Sequence, residues 1–490
     1  MSIARRLGKN STIYTFSNVV TKAINFLLLP LYTRFLSPHD YGIFAVVSSI
    51  GVFLSIFLLL ALDGAMCRFY FEYRNEPEKL KEFWGTIICV ISILCFTIGG
   101  MFLLFGEVLL KPFIGTIPFR PFVVIGIMTF MFTPFSNIYL ALLQTREKAR
   151  SYAIFSIVQT ILTVVLVFVF VVYMRWNATG PLTAALITSI AFFIVSFHLL
   201  RNDITFCIKW PYLKEALKYS LPLVPHNLAA QISSIASKLF LNNLVSTAAA
   251  GLYNIGFLLG GVIAIIASSI NQAYSPILMG ILKVNDQRGL ETLKKIGIFL
   301  VVLYCLVGSF IALFAREITI IFTTRAFYNS YVVVSFIAFY FVLTGIYYLL
   351  ANIFFYHKQT TKLIALGTGI GAICTIVFNW WLIPKFGLLG GAVATLMSQA
   401  VVTTFVGILG RRYEKVKWEY AKFFFVFIIA SFISIGVNSI SGFGIWQLLP
   451  LKGSAFIILF FLLSLVAWGN PYYLLQQGPR ILRTLKQGYL

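Results

Sequence analysis

Residues 25–42 read NFLLLPLYTRFLSPHDYG, and they indicate the fold because they join the end of one apolar run to the start of the next. Ser37 is a typical helix N-cap, Pro38 suits the first helical position, and Asp40 lies where a carboxylate favours the positive end of a helix. Pro30 removes one backbone donor inside the first run. The stretch predicts two helices joined by a capped turn, with Pro30 as a hinge in the first.

The rest of the composition extends this pattern to the whole chain. Of 490 residues, 60% are hydrophobic and 11% charged. Continuous apolar runs of about twenty residues, the length that spans a bilayer, recur throughout. A soluble chain of this length would carry far more charge, and a membrane β-barrel would alternate polar and apolar residues. The sequence predicts an all-α membrane protein with about 14 transmembrane helices.

The net charge of +23 would suggest nucleic-acid binding in a soluble protein. Here 28 of the 38 lysines and arginines fall on one set of alternating loops, eight fall on the other, and two, Lys22 and Lys238, lie within helices. Basic loops stay in the cytoplasm, so both termini are predicted to be cytoplasmic, in a bacterial inner membrane and without nucleic acid as a partner. The six cysteines form no CxxC pair, and no disulfide, metal or cofactor is predicted.

An internal repeat is suggested by two matches at nearly one offset. A shift of 209 residues aligns Ser37 with Ser246 and Gly42 with Gly251, and a shift of 210 aligns the stretches from Gly180 and Gly390. Chance similarity between apolar helices is the alternative. A duplication predicts two pseudo-symmetric six-helix bundles around a central cavity, residues 1–210 and 211–420, followed by two additional transmembrane helices and a cytoplasmic tail in residues 421–490.

Polar residues at helical spacing mark two of the predicted spans. On the first span they are Asn18, Lys22 and Asn25; on the seventh they are Asn227, Gln231, Ser234, Lys238 and Asn242. The 209-residue shift maps the first three onto Asn227, Gln231 and Ser234. A lysine at the bilayer centre costs about 2.5–3.5 kcal/mol on insertion scales, so Lys22 is expected to face water or a partner. All residues of the two stripes except Asn242 are predicted to bind substrate.

Other interpretations of these residues stay open. Asn, Gln and Ser side chains also join helices to one another, and Lys238 is close enough to a span end to snorkel. Asp63 is a candidate ion-coupling site or a solvated helix end. His226 is a candidate titrating group or a packing residue.

The segment Leu29–Gly42 resembles the signature of bacterial polysaccharide-export flippases of the Wzx type, as do residues 142–152 (LLQTREKARSY) and 379–398 (NWWLIPKFGLLGGAVATLMS). These proteins share a superfamily with multidrug and toxin extrusion antiporters and the lipid II flippase. The resemblance implies alternating access and translocation of undecaprenyl-pyrophosphate-linked oligosaccharide, the repeat unit of O-antigen, capsule or exopolysaccharide, to the outer leaflet. It also implies contact with membrane lipids and with polysaccharide polymerase machinery.

Three functions fit these features of the sequence to different degrees. A flippase for lipid-linked oligosaccharides is favoured, because two intramembrane lysines suit an anionic substrate. A cation-coupled multidrug antiporter needs membrane carboxylates, and Asp63 is the one candidate in the sequence. A membrane glycan polymerase or ligase is disfavoured, since the outer loops are short and no catalytic motif stands out. The chain is expected to act as a monomer and not as an enzyme.

Overall fold

The computed structural model describes residues 3–284, 286–356, 361–413, 416–438, 440, 445–474 and 476, with side chains except those of 3–12, 361–362 and 445–446. The chain divides into two compact units, Met1–Gly251 and Leu252–Leu490. The predicted division at residues 210 and 420 rests on the sequence repeat and stays a prediction.

The regular secondary structure of unit 1 is helical in its described residues, with short π-helical turns at Phe119–Val123 and Phe168–Tyr173 and a 3-10 turn at Leu221–Leu223. Its α-helices are α1 (Ile3–Phe35), α2 (Pro38–Leu59), α3 (Leu62–Tyr73), α4 (Pro77–Leu109), α5 (Lys111–Ile114), α6 (Val124–Thr145), α7 (Ala149–Val167), α8 (Thr179–Leu200), α9 (Trp210–Ser220) and α10 (Val224–Leu244), followed by α11 (Thr247–Gly260), which continues into unit 2.

Unit 2 is also helical. Its α-helices are α12 (Val262–Val284), α13 (Gln287–Leu313), α14 (Ala315–Phe322), α15 (Tyr331–Tyr356), α16 (Thr361–Gly410), α17 (Tyr420–Asn438) and α18 (Ile445–Trp468).

The capped turn predicted at residues 37–40 is present. Ser37 is the N-cap of α2, its Oγ accepts a hydrogen bond from the Asp40 backbone N–H at 3.1 Å, and the Asp40 carboxylate accepts one from the Ser37 backbone N–H at 3.3 Å. This reciprocal pair satisfies donors that the first helical turn leaves free. Pro30 lies inside α1, which is assigned as one helix from Ile3 to Phe35.

The 50-residue helix α16 is a hairpin of two spans. Gly387 has φ 53° and ψ −125°, outside the helical region, and a Cβ on Gly390 would lie 2.3 Å from the carbonyl oxygen of Leu382. Gly371 packs against Val402, and Gly367 packs against Val406. A step of four residues back along the first span is therefore matched by a step of four residues forward along the second. This pairing is antiparallel, so the chain reverses near Gly387.

The all-α membrane class is confirmed. Eleven helices in the described part of the chain are long and apolar enough to cross a membrane. α1 and α10, the two helices with polar stripes, are outside that set, and α16 contributes two spans. If α1, α10 and the second span of α16 also cross the membrane, the total agrees with the prediction of about fourteen.

Two glycines that the 209-residue shift aligns lie against each other in unit 1. A Cβ on Gly42 of α2 would lie 1.9 Å from the Thr247 carbonyl oxygen, and one on Gly251 of α11 would lie 2.3 Å from the Pro38 carbonyl oxygen. The starts of α2 and α11 therefore meet backbone to backbone.

Candidate functional site

One face of α1 carries the predicted polar stripe. Asn18, Lys22 and Asn25 are all exposed, and their spacing places them on the same side of the helix over two turns. The neighbouring Ser17 is fully buried, and its hydroxyl lies 2.7 Å from that of Ser156 on α7. α1 thus packs on α7 through one side and leaves the amides and the ammonium accessible on another.

Asn18 is held by a residue that the sequence pattern did not identify. The Tyr152 hydroxyl on α7 donates a hydrogen bond to Asn18 Oδ1 at 3.2 Å, and the Tyr152 ring meets Tyr14 edge to face at 5.1 Å. Tyr152 and Ser156 therefore belong with the candidate site. They are 134 and 139 residues from their partners Asn18 and Ser17 in sequence, and periodicity within one helix gives no signal for such a contact.

The stripe on α10 is less exposed. Asn227 is exposed, whereas Gln231, Ser234 and Lys238 are half-buried. The Ser234 hydroxyl donates to Gln231 Oε1 at 3.2 Å and to the Gln231 carbonyl oxygen at 2.8 Å. This hydrogen bond holds the Ser234 and Gln231 side chains together on one face of α10. The assignment of these four residues and of the α1 stripe to one substrate cavity stays a prediction.

The last residue of the α10 stripe has a structural role. Asn242 is 3% exposed, its Nδ2 donates to the Ile114 carbonyl oxygen at 2.9 Å, and its Oδ1 accepts from the Thr247 hydroxyl at 2.8 Å. The adjacent Asn243 donates to the Pro112 carbonyl oxygen at 2.7 Å. Both asparagines donate to carbonyl oxygens in the last turn of the short helix α5, where carbonyls lack partners within the helix.

Asp63 lies in the first turn of the separate helix α3. Leu60 and Ala61, both with positive φ, break the helix just before it. Asp63 is half-buried at the positive end of α3, a placement that stabilises a carboxylate without an ion. His226 is half-buried in the first turn of α10, and the hinge residue Pro30 is exposed. Their proposed roles in ion coupling and bending stay predictions.

The family-like segment 142–152 contains another structural contact. The Arg146 guanidinium lies 4.6 Å from the centre of the buried Trp84 ring and forms an ion pair with Asp203 at 2.7 Å. Nearby, Lys209 forms an ion pair with Glu82, and this hydrogen bond raises the pKa of the Lys209 ammonium. These pairs hold the segment before α9 against α4 and α6. Within the described residues, no group of three or more His, Cys, Asp or Glu side chains could hold a metal ion.

The fold and the polar helices define a membrane protein with many spans, two of which carry polar stripes. The model of the family described as "Polysaccharide biosynthesis protein" matches residues 7–282, which are 276 of the 490 residues. The chain belongs to this family, and the resemblance of residues 29–42 is thereby confirmed.

Relatives in Haemophilus influenzae extend the match. A protein of the Lsg locus is 26% identical over 291 residues, which cover 57% of this chain and 67% of the relative. An uncharacterized membrane protein is 22% identical over 413 residues, or 82% of this chain and 95% of the relative.

Solved structures share the fold. The lipid II flippase MurJ in an inward closed conformation has a TM-score of 0.68 at 16% identity, over 93% of this chain and 98% of that one. An inward-facing multidrug resistance transporter of the MATE family has a TM-score of 0.55 at 15% identity, over 80% of this chain and 94% of that one. These similarities show a transporter fold common to proteins with different cargoes.

Proposed function

We propose that the chain is a flippase that moves an undecaprenyl-pyrophosphate-linked oligosaccharide from the inner to the outer leaflet of the bacterial inner membrane. Three findings support this function: membership of the polysaccharide biosynthesis family, the fold shared with a lipid II flippase, and the exposed polar face of α1. The translocated glycan would be a repeat unit of O-antigen, capsule or exopolysaccharide.

The observation that carries the proposal is the exposed ammonium of Lys22. Thirteen residues separate Lys22 from the end of α1 at Phe35, which corresponds to about 20 Å along the helix. At that depth a lysine that faces lipid costs about 2.5–3.5 kcal/mol on insertion scales, so we expect its side of α1 to border water or a polar ligand. A site with a fixed cation inside the membrane suits an anionic head group.

The neighbouring residues suit the rest of such a substrate. An ammonium forms short, charge-assisted hydrogen bonds with phosphate oxygens, and the amides of Asn18 and Asn25 both donate to and accept from sugar hydroxyls. We assign Asn227, Gln231, Ser234 and Lys238 of α10 to the same cavity, between the lobes 1–210 and 211–420. The prenyl tail would stay in the bilayer while the head group crosses.

Cation-coupled antiport of drugs is the second candidate, and the shared fold with MATE transporters is the observation that favours it. Such exchange requires a membrane carboxylate that binds a proton or a cation in turn with the drug. The position of Asp63 at the start of α3 explains its carboxylate without a coupling role. His226 is the other residue considered for ion coupling. The anionic substrate therefore fits the polar residues better than a cationic drug does.

The test is reconstitution of the purified chain in vesicles with a defined undecaprenyl-pyrophosphate oligosaccharide, followed by measurement of its exposure on the far leaflet. Lys22→Gln is expected to slow translocation at least tenfold, because it removes the cation without removing much volume. Lys22→Arg keeps the charge and should retain most of the rate, and Lys214→Gln, at an exposed lysine of α9, is the matched control. Equal rates for Lys22→Gln and the control would remove Lys22 from the site.

A further inference from the structure

A long apolar groove in unit 2 lies between α15, α16 and α17. It has a volume of about 490 Å³, and its walls include Leu343, Ile346, Phe424 and Ile428. At one end the groove reaches Arg411, where a second cavity of about 480 Å³ begins. The second cavity, here called the basic pocket, is lined by Arg411, Lys417, Trp418, Glu419, Tyr420, Ala421 and Lys422.

Cations dominate the basic pocket. Arg411 and Lys417 are exposed, and the Arg411 guanidinium lies 4.6 Å from the centre of the Tyr420 ring. This cation–π contact holds Arg411 at the junction between the two cavities. The pocket therefore presents two accessible cations beside the apolar groove.

Glu419 is the one carboxylate among the described residues that line the pocket, and it is already paired. Glu419 forms ion pairs with Lys294 of α13 at 2.7 Å and with Lys422. Burial alone would raise the pKa of the Glu419 carboxyl, but hydrogen bonds from both lysines hold that pKa below its ordinary value. Glu419 is thus ionised and shared by two ammonium groups, so among the described residues that line the pocket no carboxylate pairs with Arg411 or Lys417.

The depth of the groove matches one leaflet of a bilayer. Along α16 the groove extends from Arg411 to Ala400, eleven residues or about 16 Å of helix. Half of a hydrocarbon core of about 30 Å is about 15 Å. An acyl chain that filled the groove would place its head group at the basic pocket.

We propose that this groove and the basic pocket together bind one anionic phospholipid, with its phosphate at Arg411 and Lys417 and an acyl chain in the groove. The surrounding bilayer is as apolar as the groove, so the chain fit gives little preference by itself. The preference comes from the cations, which attract an anionic head group and are opposed by the ammonium of a zwitterionic one. The site is separate from the polar stripe of α1, which lies in unit 1.

The test is native mass spectrometry of the purified full chain titrated with phosphatidylglycerol or with phosphatidylcholine of the same acyl chains. Phosphatidylglycerol should bind first and more tightly. Arg411→Gln combined with Lys417→Gln is expected to weaken its binding about 30-fold, which corresponds to about 1 kcal/mol for each lost cation. The matched control, Arg201→Gln with Lys214→Gln, removes two exposed charges from unit 1 and should leave the binding unchanged.

A variant that fills the groove distinguishes binding of a whole lipid from attraction of its phosphate alone. Thr404 lines the groove and is exposed, so Thr404→Trp can occupy the space without repacking the core. It should weaken phosphatidylglycerol binding at least tenfold while Arg411 and Lys417 remain. Equal affinities for the two lipids, equal losses in the charge and control variants, or an unaffected Thr404→Trp would each overturn the proposal.

Discussion

Gly42 and Gly251 show how a single missing Cβ sets the distance between two helices. At either position a methyl group would collide with backbone of the facing segment, which has no rotamer with which to move away. Gly64, in α3, is the opposite case, because nothing lies within 4 Å of the Cβ that it lacks. Packing thus requires glycine at positions 42 and 251, whereas a larger side chain has room at position 64.

This contrast gives a prediction for thermal stability. Gly42→Ala should lower the unfolding temperature of the purified protein, since overpacking a tight contact costs about 1–3 kcal/mol. Gly64→Ala should leave it unchanged or raise it, because alanine is the better helix former by about 0.5–1 kcal/mol. The measurement is a thermal unfolding scan of both variants beside the parent protein. A Gly42→Ala protein as stable as Gly64→Ala would show that α2 and α11 do not need this close approach.

Among the elements, α18 is joined to its neighbours by a buried ion pair. The Lys452 side chain is 1% exposed, and its Nζ lies 2.7 and 2.8 Å from the two oxygens of Glu317 on α14 and 3.2 Å from Asn438 Oδ1 on α17. Asn438 Nδ2 in turn donates to the Ser335 hydroxyl on α15 at 3.0 Å. The network links α18 and α17 to α14 and α15.

Breaking this pair from one side is expected to cost about 3–5 kcal/mol, because it leaves the Glu317 carboxylate, whose side chain is 11% exposed, without its cation. Lys452→Met should therefore lower the unfolding temperature strongly, whereas Lys452→Met combined with Glu317→Gln should restore part of the loss. Lys218→Met, at an exposed lysine, is the control and should stay within about 0.5 kcal/mol. Additive losses in the double variant, measured as a double-mutant cycle, would show that the two charges do not depend on each other.

The elements also show which contacts a sequence can predict. The Ser37–Asp40 cap and the polar stripe of α1 arise from residues within one or two helical turns, so spacing alone indicates them. The ion pair between Lys452 and Glu317 has no such signal, because the two residues are 135 positions apart and only tertiary packing brings them together. The contacts of Ser17 with Ser156 and of Asn18 with Tyr152 were missed for the same reason. The backbone break at Leu60 and Ala61 was missed because neither residue is a usual helix breaker.

At the scale of the whole molecule, the orientation of the chain in the membrane follows from the number of spans and the placement of charge. An even number of spans predicts that both termini lie on one side, and the excess of lysine and arginine on alternating loops predicts that this side is the cytoplasm. The α16 hairpin can test this orientation, since Lys385 lies at its turn and Arg412 lies two residues after its last residue, and both are exposed.

We expect a single cysteine at Lys385 to react with a membrane-impermeant maleimide in intact cells, and one at Arg412 to react only after the membrane is permeabilised. The six natural cysteines are first replaced by alanine, and transport by this parent protein shows that it folds. Reaction of both positions in permeabilised membranes is the control for accessibility. Labelling of Arg412→Cys alone in intact cells would invert the orientation. Labelling of both cysteines in intact cells would contradict a membrane crossing between Gly387 and Gly410. The expected pattern would place the basic pocket at the inner leaflet.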